Sequence, residues 1–106
     1  MNLDEFTKDS MIRPLVSQTC HKTSMVVELQ DDIGSCGLIE LAPQSRLSIF
    51  PLTPGVPSHD PFIQVGCTWA VGISDGRWFV YKEEATARIQ YEVCLRLITD
   101  VLSQHV

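Results

Sequence analysis

The clearest pattern in the chain is a strict alternation of apolar and polar or small positions between residues 63 and 74. A period of two is typical of a strand that has one face on a core. Asp75-Gly76 follows, and this dipeptide is preferred in two-residue type I′ turns. The pattern therefore predicts a long β-hairpin over residues 62–82. The alternating apolar residues are Ile63, Val65, Cys67, Trp69, Val71 and Ile73.

The turn type predicts which side chains of this hairpin face the core. A two-residue turn pairs Ile73 with Trp78, so Trp78 would lie on the core face and Phe79 and Tyr81 on the opposite face. Exposed aromatics beside an arginine are common anchors of protein interfaces. Phe79, Tyr81, Arg77 and Phe62 are accordingly the predicted partner-binding residues of this face. Alternatively, the face is covered by another part of the chain or by a second copy, which would make a homodimer.

The rest of the chain supplies helices and shorter strands. From Glu84 the apolar positions recur at helical spacing, which predicts an amphipathic C-terminal helix over residues 84–104 that covers the hairpin's core face. Residues 51–61 hold four of the six prolines, so this Pro loop should contain neither a helix nor a paired strand. The N-terminal half predicts a short helix over residues 1–13 and strands near residues 25–29, 37–41 and 46–50.

These elements predict a single α+β domain. With 106 residues the chain has room for one domain. The order α-β-β-β-β-β-α suits one antiparallel sheet of about five strands with the C-terminal helix packed on one face. In the first hairpin, a loop centred on Gly34 would place Val27 opposite Leu41 and Leu29 opposite Ile39.

Charge narrows the classes of partner. Thirteen acidic against eight basic residues give a net charge of −5, and the basic residues form no cluster, which disfavours nucleic acid and anionic membranes. No apolar run approaches the ~20 residues that a membrane span needs. The N-terminus carries Asp4 and Glu5 where a signal peptide would carry positive charge, so we expect a cytoplasmic protein.

Candidate chemistry is sparse. His59-Asp60 in the Pro loop is the best placed catalytic pair, although adjacent side chains rarely face each other and turn chemistry is the favoured explanation of the dipeptide. Cys20, His21, Cys36 and His59 lack the paired spacing of a zinc site. We therefore predict no metal and no cofactor.

The remaining feature is an acidic turn at Asp31-Asp32. The sequence leaves two interpretations open, a solvated turn or a contact for a basic partner. The element order and acidic balance resemble those of small secretion chaperones, with the Pro loop where their middle helix would stand, and also those of acidic immunity or inhibitor proteins. The favoured expectation is a non-enzymatic protein-binding module that uses the aromatic face or the acidic turn. The alternative is a small α+β enzyme or ligand-binding cup with a pocket near His59 and Asp60.

Overall fold

The computed structural model describes residues 11–14, 24–74 and 77–102. Its elements form two antiparallel sheets and two α-helices. The strands are β1 (Ile12–Pro14), β2 (Met25–Gln30), β3 (Cys36–Leu41), β4 (Leu47–Pro51), β5 (Trp69–Ile73) and β6 (Arg77–Tyr81). The helices are α1 (Asp60–Gln64) and α2 (Glu84–Arg96), and α2 continues as a π-helix over Leu97–Val101. The α+β class is confirmed, but the single five-stranded sheet is wrong.

The N-terminal sheet has the order β1-β2-β3. Its inner face is apolar because alternate residues of β2 and β3 are buried. The predicted faces of this hairpin are correct, although Val27 pairs with Ile39 and not with Leu41. A shift of two residues preserves the faces, since side chains alternate with a period of two.

The C-terminal sheet has the order β4-β5-β6 and packs under α2. Its inner face joins the inner face of the N-terminal sheet and the buried side of α2 in one core. The described core residues of this sheet include Val71, Ile73, Phe79 and Tyr81. The predicted C-terminal helix is therefore present and covers the predicted side of β5.

The outer face of the C-terminal sheet carries a smaller apolar cluster of its own. It consists of Leu52, Cys67, Ala70 and Val80, with Phe50, Phe62 and Ile63 packed against them. Because Leu52, Phe62 and Ile63 belong to the Pro loop and α1, the Pro loop is a lid over part of this face. The cluster accounts for the apolar side chains of Leu52, Phe62 and Ile63.

The long predicted hairpin over residues 62–82 is wrong in its first third. The prediction that residues 51–61 contain neither a helix nor a paired strand is also wrong at both ends, because Pro51 pairs with Trp69 and residues 60–64 form α1. Pro61 lies in the first turn of α1, where a missing N–H removes no helical hydrogen bond. Gly66 has a φ of +95°, a conformation that glycine adopts readily, and β5 begins only at Trp69. Of the apolar residues before Trp69, Ile63 and Cys67 belong to the cluster on the outer face of the sheet, Val65 is exposed, and none extends the strand.

The register at the tip of this hairpin is also different from the prediction. Ile73 pairs with Arg77, so the loop contains three residues and not two. A slip of one residue moves every side chain of β6 to the other face. Phe79 and Tyr81 therefore face the core, whereas Trp78 and Val80 face outward beside Gly72 and Ala70. Asp75 and Gly76, on which the turn prediction depended, lie outside the described residues.

The predicted N-terminal helix over residues 1–13 falls mostly outside the described residues. Of the described residues in that range, Ile12 and Arg13 belong to strand β1, which pairs with β2, so the prediction of a helix is wrong at this end. The buried Gln90 of α2 accepts a hydrogen bond from the Met11 N–H through its side-chain oxygen, at 3.0 Å. This bond holds the start of β1 against the C-terminal helix.

Candidate functional site

The acidic turn between β2 and β3 docks on the free edge of β6. Asp31 is only 7% exposed. One of its carboxylate oxygens accepts the N–H groups of Ile33 and Ser35, at 3.2 and 2.9 Å, and the other accepts the N–H of Val80, at 3.3 Å. The carboxylate thus closes its own turn and satisfies a buried donor of the neighbouring sheet.

Asp32 extends this contact along the same edge. Its N–H donates to the Val80 carbonyl at 3.1 Å, and its side chain accepts the N–H of Lys82 at 2.9 Å. An edge strand with unpaired N–H and C=O groups attracts other strands, and here two carboxylates occupy that edge. The predicted role of Asp31 and Asp32 as partner-contacting residues remains untested, but both carboxylates already bind backbone groups inside the chain.

Arg77 joins the two sheets at the opposite end of the same edge. Its Nη1 donates to the Leu38 carbonyl of β3 at 2.8 Å, and its guanidinium lies 5.7 Å from the centre of the Phe79 ring. A β-carbon at Gly37 would collide with this guanidinium. Gly37 therefore makes room for the arginine, which packs as a bridge between β6 and β3.

Phe79 and Tyr81 are not on an exposed face. Phe79 is 3% exposed and Tyr81 is 0% exposed. The Tyr81 hydroxyl donates to the Gln30 carbonyl at 3.1 Å, and burial, followed by nearby negative groups, raises the pKa of this phenol well above its ordinary value. The predicted exposure of both aromatics is wrong because of the one-residue slip in register. Phe62, the fourth residue of that predicted surface, packs with the outer cluster under the Pro loop.

His59 and Asp60 serve the backbone of the Pro loop. The His59 Nδ1 accepts the N–H of Thr53 at 2.9 Å, and a carboxylate oxygen of Asp60 accepts the N–H of Gly55 at 3.1 Å. The proton of a neutral His59 is consequently on Nε2. No hydrogen bond or ion pair joins these two described side chains, and one atom of each, the His59 Nδ1 and one Asp60 carboxylate oxygen, accepts a backbone N–H of the loop.

The His59 ring completes an aromatic cluster that the sequence did not predict. It stacks on Phe50 with ring centres 5.9 Å apart, and Trp78 meets both rings edge-on at 5.2 Å. His59 directly precedes α1, Phe50 lies in β4 and Trp78 lies in β6, so only the tertiary structure brings the three rings together. A three-residue loop in the predicted hairpin would have placed Trp78 on the outer face and so indicated this cluster.

A shallow depression lies beside this aromatic cluster on the outer face of the C-terminal sheet. Its volume is about 150 Å³. In register across the three strands, Ser48 pairs with Gly72 and Gly72 with Trp78, so the row has no side chain at its centre. The residues around the depression are Arg46, Leu47, Ser48, Gly72, Ile73, Ser74 and Trp78.

A second open face is the outer side of the N-terminal sheet. Leu38 is 58% exposed and Val26 is 37% exposed. Each lies directly opposite a glutamate on the neighbouring strand, Leu38 opposite Glu28 and Val26 opposite Glu40. We call these four residues the β2–β3 outer face. It combines apolar side chains with negative charge, and no other described element packs on it closely enough to bury Leu38.

Of the three described cysteines, Cys36 is exposed, whereas Cys67 and Cys94 are buried and have the properties of packing residues. Burial raises the pKa of Cys94 to about 12, and burial with the charges of Asp31 and Asp32 raises the pKa of Cys67. A protonated thiol is a poor nucleophile and a poor metal ligand. Among residues 11–14, 24–74 and 77–102, no three His, Cys, Asp or Glu side chains are grouped to hold a metal ion. Cys20 and His21 lie outside the described residues.

Comparison of the chain with protein-family models, with curated proteins and with solved structures finds no match. Within the part of the chain that the structure describes, no helix has the length and apolar character to cross a membrane.

Proposed function

We propose that this chain is a non-enzymatic protein-binding module, of the chaperone-, immunity- or inhibitor-like kind, that docks on another protein through the β2–β3 outer face. The observation that carries the proposal is the exposure of Leu38 and Val26 between two glutamates. This surface replaces the Phe79 and Tyr81 face, which the register places in the core.

The chemistry of the face defines the partner. An interface core of apolar side chains excludes water, and opposite charges around it select the partner and its orientation. Glu28 and Glu40 are two of the thirteen acidic residues of a chain whose net charge is −5. The partner should therefore present apolar side chains bordered by lysine or arginine.

The outer edge of β6 is already occupied, which favours docking through a face of a sheet over strand pairing at this edge. The carboxylates of Asp31 and Asp32 occupy the outward N–H groups of Val80 and Lys82. A partner strand would have to displace both carboxylates before it could pair there. The β2–β3 outer face needs no such rearrangement.

The test compares capture of partners by matched variants in extracts of the source cell. We expect the Val26→Lys, Leu38→Lys double variant to lose a partner that the unmodified chain retains, because it replaces both apolar side chains with charges that repel a basic surface. Val65→Lys is the control, since Val65 is also exposed but lies after α1, in a different part of the fold. Surface substitutions of this kind usually change stability by less than about 0.5 kcal/mol.

Three outcomes are informative. Loss of one partner from the double variant alone, together with weaker capture at higher salt, supports the proposal. Equal capture by the double variant and the control contradicts it. A molecular mass of two chains that falls to one in the double variant also contradicts it, because the face would then be covered by a second copy, the homodimer that the sequence left open.

A further inference from the structure

We infer that the depression beside Trp78 is a binding site for a small planar carboxylate. It lies on the outer face of the C-terminal sheet, away from the β2–β3 outer face, and the inference goes beyond the proposed function. The geometry of three strands, the chemistry of the rim and the size of the space each contribute to it.

The space exists because Gly72 occupies the centre of a row of paired residues. On one side of Gly72 stands Ser48 and on the other stands Trp78. A β-carbon at Gly72 would lie 2.6 Å from the Ser48 hydroxyl oxygen and 3.7 Å from Cδ1 of Trp78. The Ser48 hydroxyl therefore leans over Gly72, and any larger residue there would collide with it. The floor of the depression is the Gly72 backbone together with the Ser48 hydroxyl, and the indole ring of Trp78 stands beside it.

The aromatic cluster holds the wall of the site in place. Phe50 and His59 both contact Trp78 edge-on, so the indole is fixed from the side of the Pro loop. Trp78 nevertheless remains half-buried and not fully covered. A flat ring that enters the depression can stack on this indole, and such contacts contribute beyond the area that they bury.

The rim supplies a cation at the end nearest the hairpin tip. Arg46 is exposed, and among the described residues no carboxylate lies within ion-pairing distance of it. Its backbone is fixed by two hydrogen bonds to Ser74, with the Arg46 N–H donating to the Ser74 hydroxyl at 3.0 Å and the Ser74 N–H donating to the Arg46 carbonyl at 2.8 Å. A guanidinium is suited to bidentate recognition of a carboxylate, and the Ser48 hydroxyl offers a further donor.

The backbone of Ser74, at the start of the hairpin loop, shows that this rim is constrained. Its φ is +27°, which is unfavourable for a residue with a β-carbon, and strained residues of this kind cluster at ligand-binding sites. The strained conformation places the Ser74 hydroxyl where it accepts the Arg46 N–H. The strain and the position of the cation are thus parts of one arrangement.

The volume limits the ligand to a single ring. Sites for drug-sized molecules occupy about 300–1,000 Å³, whereas this depression offers about 150 Å³. The depression therefore accommodates an aromatic acid with one ring but does not enclose a nucleotide or a flavin. At ordinary ligand efficiencies, a molecule of this size binds with a Kd of about 1–10 mM.

Benzoate is the probe, with benzamide as its uncharged analogue. The chain contains two tryptophans, so a Trp69→Phe background leaves Trp78 as the fluorescent reporter. We expect benzoate to change the Trp78 fluorescence and to shift the amide resonances of Ser48 and Gly72 saturably, with benzamide at least about fivefold weaker. Arg46→Gln should remove this difference, since it removes the positive charge and leaves a neutral polar side chain.

Matched variants separate the site from general effects. Arg88→Gln is the control, because Arg88 is an exposed arginine on α2 that contacts Trp69 and not Trp78. Gly72→Ala should abolish binding, and if it does not fold, Ser48→Val tests the same floor from an exposed position. The Leu38→Lys variant should bind benzoate like the unmodified chain, which keeps this test independent of the proposed function. Equal affinity for benzoate and benzamide, or no saturable shift at about tens of millimolar, would overturn the inference.

Discussion

Replacement of Asp31 by alanine should destabilise the fold strongly although the side chain lies in a turn. The substitution removes the acceptor of three backbone N–H groups, those of Ile33, Ser35 and Val80. Ile33 and Ser35 are exposed, so water can replace the carboxylate at their N–H groups. Val80 is fully buried, and its N–H would be left without an acceptor.

The magnitude follows from these unequal losses. A buried donor without a partner costs about 1–3 kcal/mol, and a hydrogen bond to a charged group contributes about 1.5–3 kcal/mol. The Val80 bond is long, at 3.3 Å, and belongs in the lower part of its range. We therefore expect Asp31→Ala to lower the free energy of unfolding by about 2–4 kcal/mol, a large share of the ~5–15 kcal/mol that holds an ordinary domain together.

The assay is urea unfolding followed by the fluorescence of Trp69 and Trp78, both in the C-terminal sheet. Asp32→Ala is the matched control, because it removes the same charge from the same turn but exposes only the N–H of Lys82, which is already near water. It should cost less than about 1 kcal/mol. Asp31→Asn should fall between the two, since its single amide oxygen can still accept the N–H groups of the turn. Amide hydrogen exchange should show faster exchange at Val80 in Asp31→Ala.

Equal destabilisation by Asp31→Ala and Asp32→Ala would refute this reasoning. It would mean that the loss of charge, and not the buried donor of β6, decides the effect. A change below about 1 kcal/mol in Asp31→Ala would refute it as well, because the docking of the turn on β6 would then contribute little.

Three other predictions follow from the core and its bridges. Phe79→Asp and Tyr81→Asp should each unfold the chain in circular dichroism, because each buries an unpaired charge; folded, soluble variants would contradict the register of β6. Gly37→Ala should lower the free energy of unfolding by about 1 kcal/mol in urea, because Arg77 must move away from the Leu38 carbonyl. The control is the Arg77→Ala variant in the Gly37→Ala background, which should add little, and fully additive effects would contradict the contact between the two residues. Gly34 is not a suitable control position because its φ is positive. Burial raises the pKa of the Cys94 thiol to about 12 in the folded state, against 9.0 when the chain is unfolded. Its contribution to stability is therefore complete below pH 9 and falls as the pH rises towards 12. In Cys94→Ala the urea midpoint should decline less steeply over that range, and an unchanged decline would contradict the raised pKa.

Much of the local structure could be predicted because it depends on neighbours in sequence. The strands β2, β3 and β4 and the helix that begins at Glu84 follow from apolar spacing, and the structure places each within a residue or two of its predicted start. Those patterns report which side of an element is apolar. They do not report which apolar surface it meets, so the split into two sheets was not accessible.

The candidate sites depended on a single residue of register. A loop of two residues and a loop of three both suit the sequence around Asp75, and the choice exchanges Phe79 and Tyr81 for Trp78 and Val80 on the outer face. The alternation of apolar residues before Trp69 was likewise ambiguous, since Ile63 and Cys67 serve a second apolar cluster outside the strand. Short apolar runs do not distinguish these cases.

Composition and periodicity are local properties of the chain, so they were sufficient to predict the α+β class, the net negative charge and the apolar sides of β2, β3 and α2. The packing of the whole chain was needed to place the Asp31 and Asp32 carboxylates on the edge of β6, Arg77 between the sheets over Gly37, and Trp78 beside Gly72. Each of these arrangements joins residues more than five positions apart through hydrogen bonds or contacts between separate strands. Register and packing, which depend on the whole core, decide such contacts.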